Sequence, residues 1–273
     1  MPYFTSSDDV RLHYTDEGEG LPVLALSGLT RNGRDFDYVA PHLENTRLIR
    51  LDYRGRGKSD WPGPDTYTIP VEARDAVELL DHLGIARAAI LGTSRGGLIA
   101  MGLGAGARDR LLGVALNDIG PDLATGGLKA IMGYLGNRPS WKTHEEAAAA
   151  RPELMAGFAN VPAERWRAEV EKLYIQAEDG LDLTYDARLR DAVLATGAQP
   201  APDLWPFFDA LDGLPLATIR GANSDLLTPA TFAEMQRRRP DMIAAEVPDR
   251  AHIPFLDEPE ALAALREWLE SMQ

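Results

Sequence analysis

The chain has 273 residues, 45% hydrophobic and 26% charged, enough for one large domain or a core domain carrying an insertion. Its formal net charge of −14 argues against nucleic acid or an anionic membrane as a partner. With no cysteine, disulfides, thiolate metal sites and a cysteine nucleophile are all excluded.

The start of the chain shows neither a basic leader nor an apolar stretch of signal-peptide type, and no apolar run approaches a membrane span. A soluble cytoplasmic protein is therefore expected. Residues 10–15 alternate in the manner of an edge strand, and residues 23–26 form a continuous apolar run suited to a strand buried on both faces. Residues 47–51 read as a third strand, running into the glycine-punctuated loop Asp52-Tyr53-Arg54-Gly55-Arg56-Gly57-Lys58-Ser59-Asp60. Residues 71–83 predict a helix with Val77, Leu80 and Leu83 on one side and Gly84 as its stop. A strand at 88–91, the turn Gly92-Thr93-Ser94-Arg95-Gly96, a helix rich in small residues at 97–103 and a strand at 112–117 follow. Strands and helices alternating at this pitch predict an α/β fold, a mainly parallel sheet with helices on both faces.

From about residue 119 to 202 the pattern changes. Helical segments at 128–135, 144–154, 163–178 and 187–196 succeed one another with no convincing strand, broken at Gly136, Pro139, Pro152, Pro162 and Gly197. An all-helical cap insertion over one end of the sheet is expected there. The alternation resumes with a strand at 216–220, a helix at 229–239 capped by Thr228 with Pro229 first, and a strand at 242–247. A last amphipathic helix at 259–272 turns Leu262, Leu265, Trp268 and Leu269 inward. The expected division is a core domain from 1–118 and 203–273, with a helical cap domain at 119–202.

Ser94 lies between glycines at a strand-to-helix junction, a tight turn that stands its hydroxyl clear of the chain. A serine hydroxyl needs a base, normally a histidine oriented by a carboxylate. Five histidines are present: His13, His42, His82, His144 and His252. None shows metal-ligand spacing, and His252 follows a predicted strand, at the sheet edge where ligands collect. Asp225, after the strand at 216–220, and Asp118, after the strand ending at Asn117, would both emerge at that edge. A developing oxyanion also requires two backbone N–H donors. Arg95, next to the serine, and Leu29, in the loop leaving the second strand, are the candidates. No metal or organic cofactor is expected.

Taken together, these segments resemble the α/β-hydrolase-fold family along nearly the whole chain. Ser27-Gly28-Leu29-Thr30 resembles the family's His-Gly-x oxyanion loop, and residues 52–60 its D-x-R-G-x-G-x-S-D segment. Residues 92–97 resemble its nucleophile elbow, residues 221–229 its acid loop, and Ala251-His252 its Gly-His loop. Ser27 and Ala251 depart from the usual histidine and glycine. The resemblance implies an eight-stranded-type sheet, a cap, and a serine hydrolase acting on a small-molecule ester or lactone. Ser94 would be the nucleophile and His252 the base, with Asp225 favoured over Asp118 as the acid on chain order. Thioesters, C–C bonds of diketones, peroxide-dependent chemistry and slow-turnover ligand reception on the same fold remain as alternatives. Serine at 94 argues against dehalogenation, for which the resemblance would require an aspartate.

Three arginines, Arg31, Arg34 and Arg95, lie near the predicted site. If any of them faces the pocket it would give a local positive spot suited to a carboxylate-bearing ester or enol-lactone. Otherwise Arg95 pairs with a core carboxylate such as Asp52 or Asp118 and the other two are solvated. Met132, Tyr134, Trp141, Phe158 and Trp166 are candidates for an apolar roof, and Trp205, Phe207 and Phe208 divide between packing and pocket. Assembly into a homo-oligomer is left open.

Overall fold

The structure, a computed structural model, describes residues 2–198 and 202–272. Residues 199–201, which fall within the expected cap, lie outside the described residues. Among the described residues there are ten strands: β1 (Tyr3–Thr5), β2 (Arg11–Gly18), β3 (Leu21–Leu26), β4 (Thr46–Leu51), β5 (Ala88–Thr93), β6 (Leu111–Asn117), β7 (Tyr174–Ala177), β8 (Gly180–Leu183), β9 (Leu216–Gly221) and β10 (Ile243–Val247). The helices are α1 (Ile69–His82), α2 (Arg95–Gly106), α3 (Thr125–Tyr134), α4 (His144–Leu154), α5 (Ala163–Leu173), α6 (Leu189–Gly197), α7 (Trp205–Asp209), α8 (Pro229–Arg238) and α9 (Pro259–Glu270).

Burial on both faces of the central strands dictates the layering. In β3, Val23 and Ala25 belong to one apolar cluster and Leu24 and Leu26 to the other, and all four are fully buried. Such a strand needs a layer on each side. One side is covered by α1 and α2 through Leu79, Leu80, Ile99 and Met101, the other by α9 through Leu265 and Trp268. The eight strands run in the order β1-β2-β4-β3-β5-β6-β9-β10. β1 and β2 pair antiparallel at one edge, and every pairing from β4 to β10 is parallel. The loops leaving β3, β5, β6, β9 and β10 therefore share one edge.

The chain between β6 and β9 is not all helical. Helix α5 stops at Leu173, and Tyr174 turns extended at φ −131° and ψ 149°. β7 and β8 then form an antiparallel hairpin, Tyr174 opposite Leu183, whose turn uses Gly180 at φ +142°. A residue with a side chain is strained at that φ, and the glycine allows the tight return of the hairpin, whose first strand takes up residues 174–177 of the helix expected at 163–178. The exit of the hairpin is fastened to the core. Gly57 N–H donates to the Thr184 carbonyl and Asp186 N–H to the Gly55 carbonyl, both at 2.8 Å. The Tyr67 hydroxyl donates to Asp186 Oδ2 at 2.7 Å. Among the described residues no helix is long and apolar enough to cross a membrane.

One close approach holds the serine turn against β3. The Gly96 N–H donates to the Ser27 carbonyl at 3.1 Å, and a Cβ on Gly96 would lie 1.9 Å from the Leu26 carbonyl oxygen. Backbone cannot swing aside as a side chain can. Gly96→Ala is expected to destabilise by on the order of 3 kcal/mol or to abolish soluble expression. Gly102→Ala, inside α2 with nothing within 4 Å of the new Cβ, is expected to stabilise by about 0.5–1 kcal/mol. Urea unfolding midpoints of the two variants check both signs.

Candidate active site

Ser94 occupies the corner between β5 and α2 at φ +50° and ψ −113°, outside the conformations a serine normally adopts. Strain of about 1–3 kcal/mol is sustained there because the surroundings over-determine the turn. Its N–H donates to the Asn117 carbonyl, and its own carbonyl accepts from Gly97 and Leu98. The hydroxyl lies 3.0 Å from Nε2 of His252, and Nδ1 of His252 lies 2.7 Å from Oδ2 of Asp118. An ionised carboxylate only accepts, so Asp118 fixes the proton on Nδ1 and leaves Nε2 to accept from Ser94.

Asp118 is fully buried and fully engaged. Its Oδ1 accepts from the Gly221 N–H at 2.8 Å, and its Oδ2 also accepts from the Ser224 hydroxyl at 2.6 Å. Sheet register explains its placement. Thr93 pairs with Asn117 across β5 and β6, so Ser94 and Asp118 are the next residues off two adjacent strand ends. Asn117 Nδ2 then donates to the Pro254 carbonyl at 3.2 Å, joining the His252 loop to the same strand end.

Asp225, expected to be the acid, does not reach His252. It lies four residues beyond the last paired residue of β9, is exposed, and makes no side-chain hydrogen bond among the described residues. Its carbonyl accepts from Gly127 N–H, and it stands on the cavity rim. The carboxylate at the histidine is the competitor, Asp118, and the order serine, aspartate, histidine along the chain is preserved.

The Leu29 and Arg95 N–H groups donate to no acceptor among the described residues, and a Cβ on Gly28 would come within 3.9 Å of Ser94 Cβ. Both residues are held from behind. The Arg95 side chain turns away from the cavity, donating from Nε to Glu72 at 2.6 Å and from Nη2 to the Tyr67 carbonyl at 3.0 Å. This removes Arg95 as the expected contact to an anionic substrate, and its partner is Glu72 rather than Asp52 or Asp118. Glu72 also accepts from Arg56 at 2.7 Å, and Arg56 Nε donates to the Leu29 carbonyl at 2.9 Å. Burial pushes the Arg56 guanidinium below its ordinary pKa, with Glu72 pulling the other way.

A cavity of about 650 Å³ opens onto Ser94 and His252, floored by the 28–31 loop. Its walls come largely from the stretch between β6 and β9, including Ile131, Tyr134, Trp141, Met155, Phe158 and Tyr174. Tyr134, Trp141 and Phe158 thus face it as expected, whereas Trp166 is buried behind, edge-on to Phe158, and Met132 packs into a separate apolar cluster. Trp205 meets Phe208 edge-to-face, away from the cavity. Arg31 lines the cavity, and Arg34 does not. Among the described residues no group of three or more His, Asp or Glu side chains is disposed to hold a metal ion.

A serine on a strand-to-helix corner, hydrogen-bonded to a histidine and a buried aspartate at the loop edge of a parallel sheet, is the hallmark of one class of folds. The chain belongs to the alpha/beta hydrolase family, whose model matches residues 23–265. It is 38% identical over 252 residues to a 3-hydroxybutyrate-oligomer hydrolase of Cupriavidus necator, covering 88% of this chain and 85% of that protein. It is 28% identical over 274 residues to haloalkane dehalogenase 2 of Mycobacterium tuberculosis, covering 93% and 89% of the two chains. The crystal structure of an alpha/beta hydrolase from Novosphingobium aromaticivorans superposes with a TM-score of 0.91 at 37% identity, over 98% of this chain and 97% of that one.

The Glu72 bridge gives a direct test of how the site is held. Glu72→Gln leaves Arg56 and Arg95 facing each other without a carboxylate, and a loss of about 3 kcal/mol or more is expected. Chemical denaturation measures it.

Proposed function

We propose that this protein is a serine hydrolase of small carboxylic esters, with an oligoester of a short hydroxy acid as its first candidate substrate. The observation that carries the proposal is the hydrogen-bonded chain from Ser94 Oγ through both nitrogens of His252 to Asp118. Ser94 attacks the ester carbonyl while Nε2 of His252 takes its proton. The negative charge that develops on the carbonyl oxygen is received by the N–H groups of Leu29 and Arg95. The C–O bond then breaks, and His252 returns the proton to the leaving alkoxide. Water, deprotonated by the same nitrogen, attacks the acyl-enzyme, which collapses to the free acid and Ser94. Asp118 holds the tautomer throughout and stabilises the imidazolium. The residues from 119 to 202 act as the cap that supplies the acyl and alcohol pockets, and the remainder is the core domain.

Halide displacement is poorly served by this arrangement. A serine that displaced halide would form an alkyl ether, which offers no carbonyl for a second attack by water. A carbonyl substrate gives an acyl-serine that the same histidine can clear. Similarity to the Cupriavidus enzyme supports the hydroxy-acid oligoester in particular.

A fluorophosphonate is expected to modify the peptide containing Ser94, as read by mass spectrometry, and Ser94→Ala to abolish both the adduct and p-nitrophenyl butyrate hydrolysis. Asp118→Asn is expected to lower kcat by about 10³–10⁴-fold through the wrong histidine tautomer. Asp225→Asn should stay within about threefold of wild type, as an exposed carboxylate remote from His252 would. A greater loss at Asp225 than at Asp118 in steady-state assays would overturn the assignment of the acid.

A further inference from the structure

Arg151 lies in the last turn of α4, on the wall of the cavity that opens onto Ser94. Its Nε is buried without a hydrogen-bond partner, and its Nη1 meets only the Met155 sulfur, a weak acceptor, at 3.4 Å. Among the described residues no carboxylate forms an ion pair with it. The other two arginines on the cavity are neutralised within the protein. Arg31 is paired with Asp35 at 3.1 Å and Glu169 at 2.9 Å, and Arg138 with Asp179 and Asp182.

Leaving a partly buried guanidinium uncompensated is costly in general, so proteins pair it or expose it. Here burial pushes the Arg151 guanidinium down from its ordinary pKa, and the nearby Arg31 charge acts in the same direction. Of the carboxylates in this cluster, Glu169 and Asp35 are paired with Arg31, Glu169 also faces Lys172, and Asp37 is paired with Arg50, so none of them is paired with Arg151. Burial also raises Asp35 to about 6.

We propose that Arg151 binds a free carboxylate of the substrate, so that the enzyme selects esters that are themselves acids over neutral esters. The planar fork of a guanidinium matches a carboxylate with two parallel hydrogen bonds, and Arg151 lies on the cavity wall. A cavity of about 650 Å³ has room for an ester together with a carboxylate-bearing arm. A linear oligoester of a hydroxy acid has this composition: an ester at each junction and one free carboxylate at its end. The assignment rests on the ester-hydrolase reading for the bond that is cut, but the carboxylate contact can be read without turnover.

The test is calorimetric titration of Ser94→Ala with the linear 3-hydroxybutyrate dimer and with the same dimer capped as its carboxyl methylamide. The acid is expected to bind at least about tenfold more tightly than the amide, the range for a charge-assisted contact. Adding Arg151→Met should bring the two affinities within about twofold, and Arg151→Lys should restore part of the difference. Equal binding of acid and amide, no measurable binding of the acid at millimolar concentration, or an acid preference that survives Arg151→Met in a chain with unchanged thermal unfolding would each overturn the proposal. A general disturbance of the cap lowers both affinities together and keeps their ratio, which also counts against it. If the acid preference is present and depends on Arg151, yet wild-type protein cleaves neither dimer nor p-nitrophenyl butyrate, the carboxylate site stands and the hydrolase reading falls.

Discussion

A single carboxylate, Glu72, governs the geometry around Ser94. It is fully buried in α1 and holds two arginines from different parts of the chain, Arg56 and Arg95. Through Arg56 it reaches the carbonyl of Leu29, and through Arg95 it reaches the residue after the serine. Leu29 and Arg95, on two separate segments beside Ser94, are thereby tied to one shared anchor. Buried ion pairs are weak contributors to net stability, because desolvation consumes most of the Coulombic gain. Their use here is positional: two loops that would otherwise move independently are set against each other at hydrogen-bond precision.

The sheet supplies the complementary constraint. Parallel pairing of β5 with β6 sets Thr93 opposite Asn117, and the residues that follow, Ser94 and Asp118, leave the sheet side by side, both with positive φ. His252, arriving from β10 at the far edge, is drawn to the same place by Asp118 and by Asn117 acting on Pro254. The site is assembled from one strand junction and one long loop, with rigid elements behind each member.

Much of this was legible from residue order alone. The glycine-flanked Ser94, the apolar strands and the loop carrying His252 follow from local patterns that need no knowledge of pairing. The acid did not: chain order, the ground on which Asp225 was favoured, is satisfied equally by Asp118. Only the β5–β6 register separates them, and register is a tertiary fact. Arg95 posed a similar problem, since its partner Glu72 sits on a helix whose apolar spacing assigned charged residues to the solvent side. Glu72 and Asp75, one turn apart in α1, are both fully buried. The signal for this was the arginine-rich loop at 54–56, whose charges demand carboxylates nearby. The β7–β8 hairpin was hidden for a third reason: its strands are four residues each, too short for an alternation to declare itself.

The guanidinium of Arg151, paired with no carboxylate among the described residues, also bears on traffic through the cavity. The protein as a whole carries a formal charge of −14, so an acidic ester approaches against a repulsive field and feels attraction only once it is within reach of the arginine. At physiological ionic strength that outer field extends about 8 Å, and added salt shortens it while a partly buried contact is screened much less. Encounter with the proposed anionic ester would therefore quicken as ionic strength rises, the reverse of ordinary electrostatic steering. On the proposed reading, hydrolysis would add a further negative charge to what the cavity holds, since one ester becomes a second carboxylate. The same field that slows arrival then speeds departure, and a single positive group facing two anions cannot retain both.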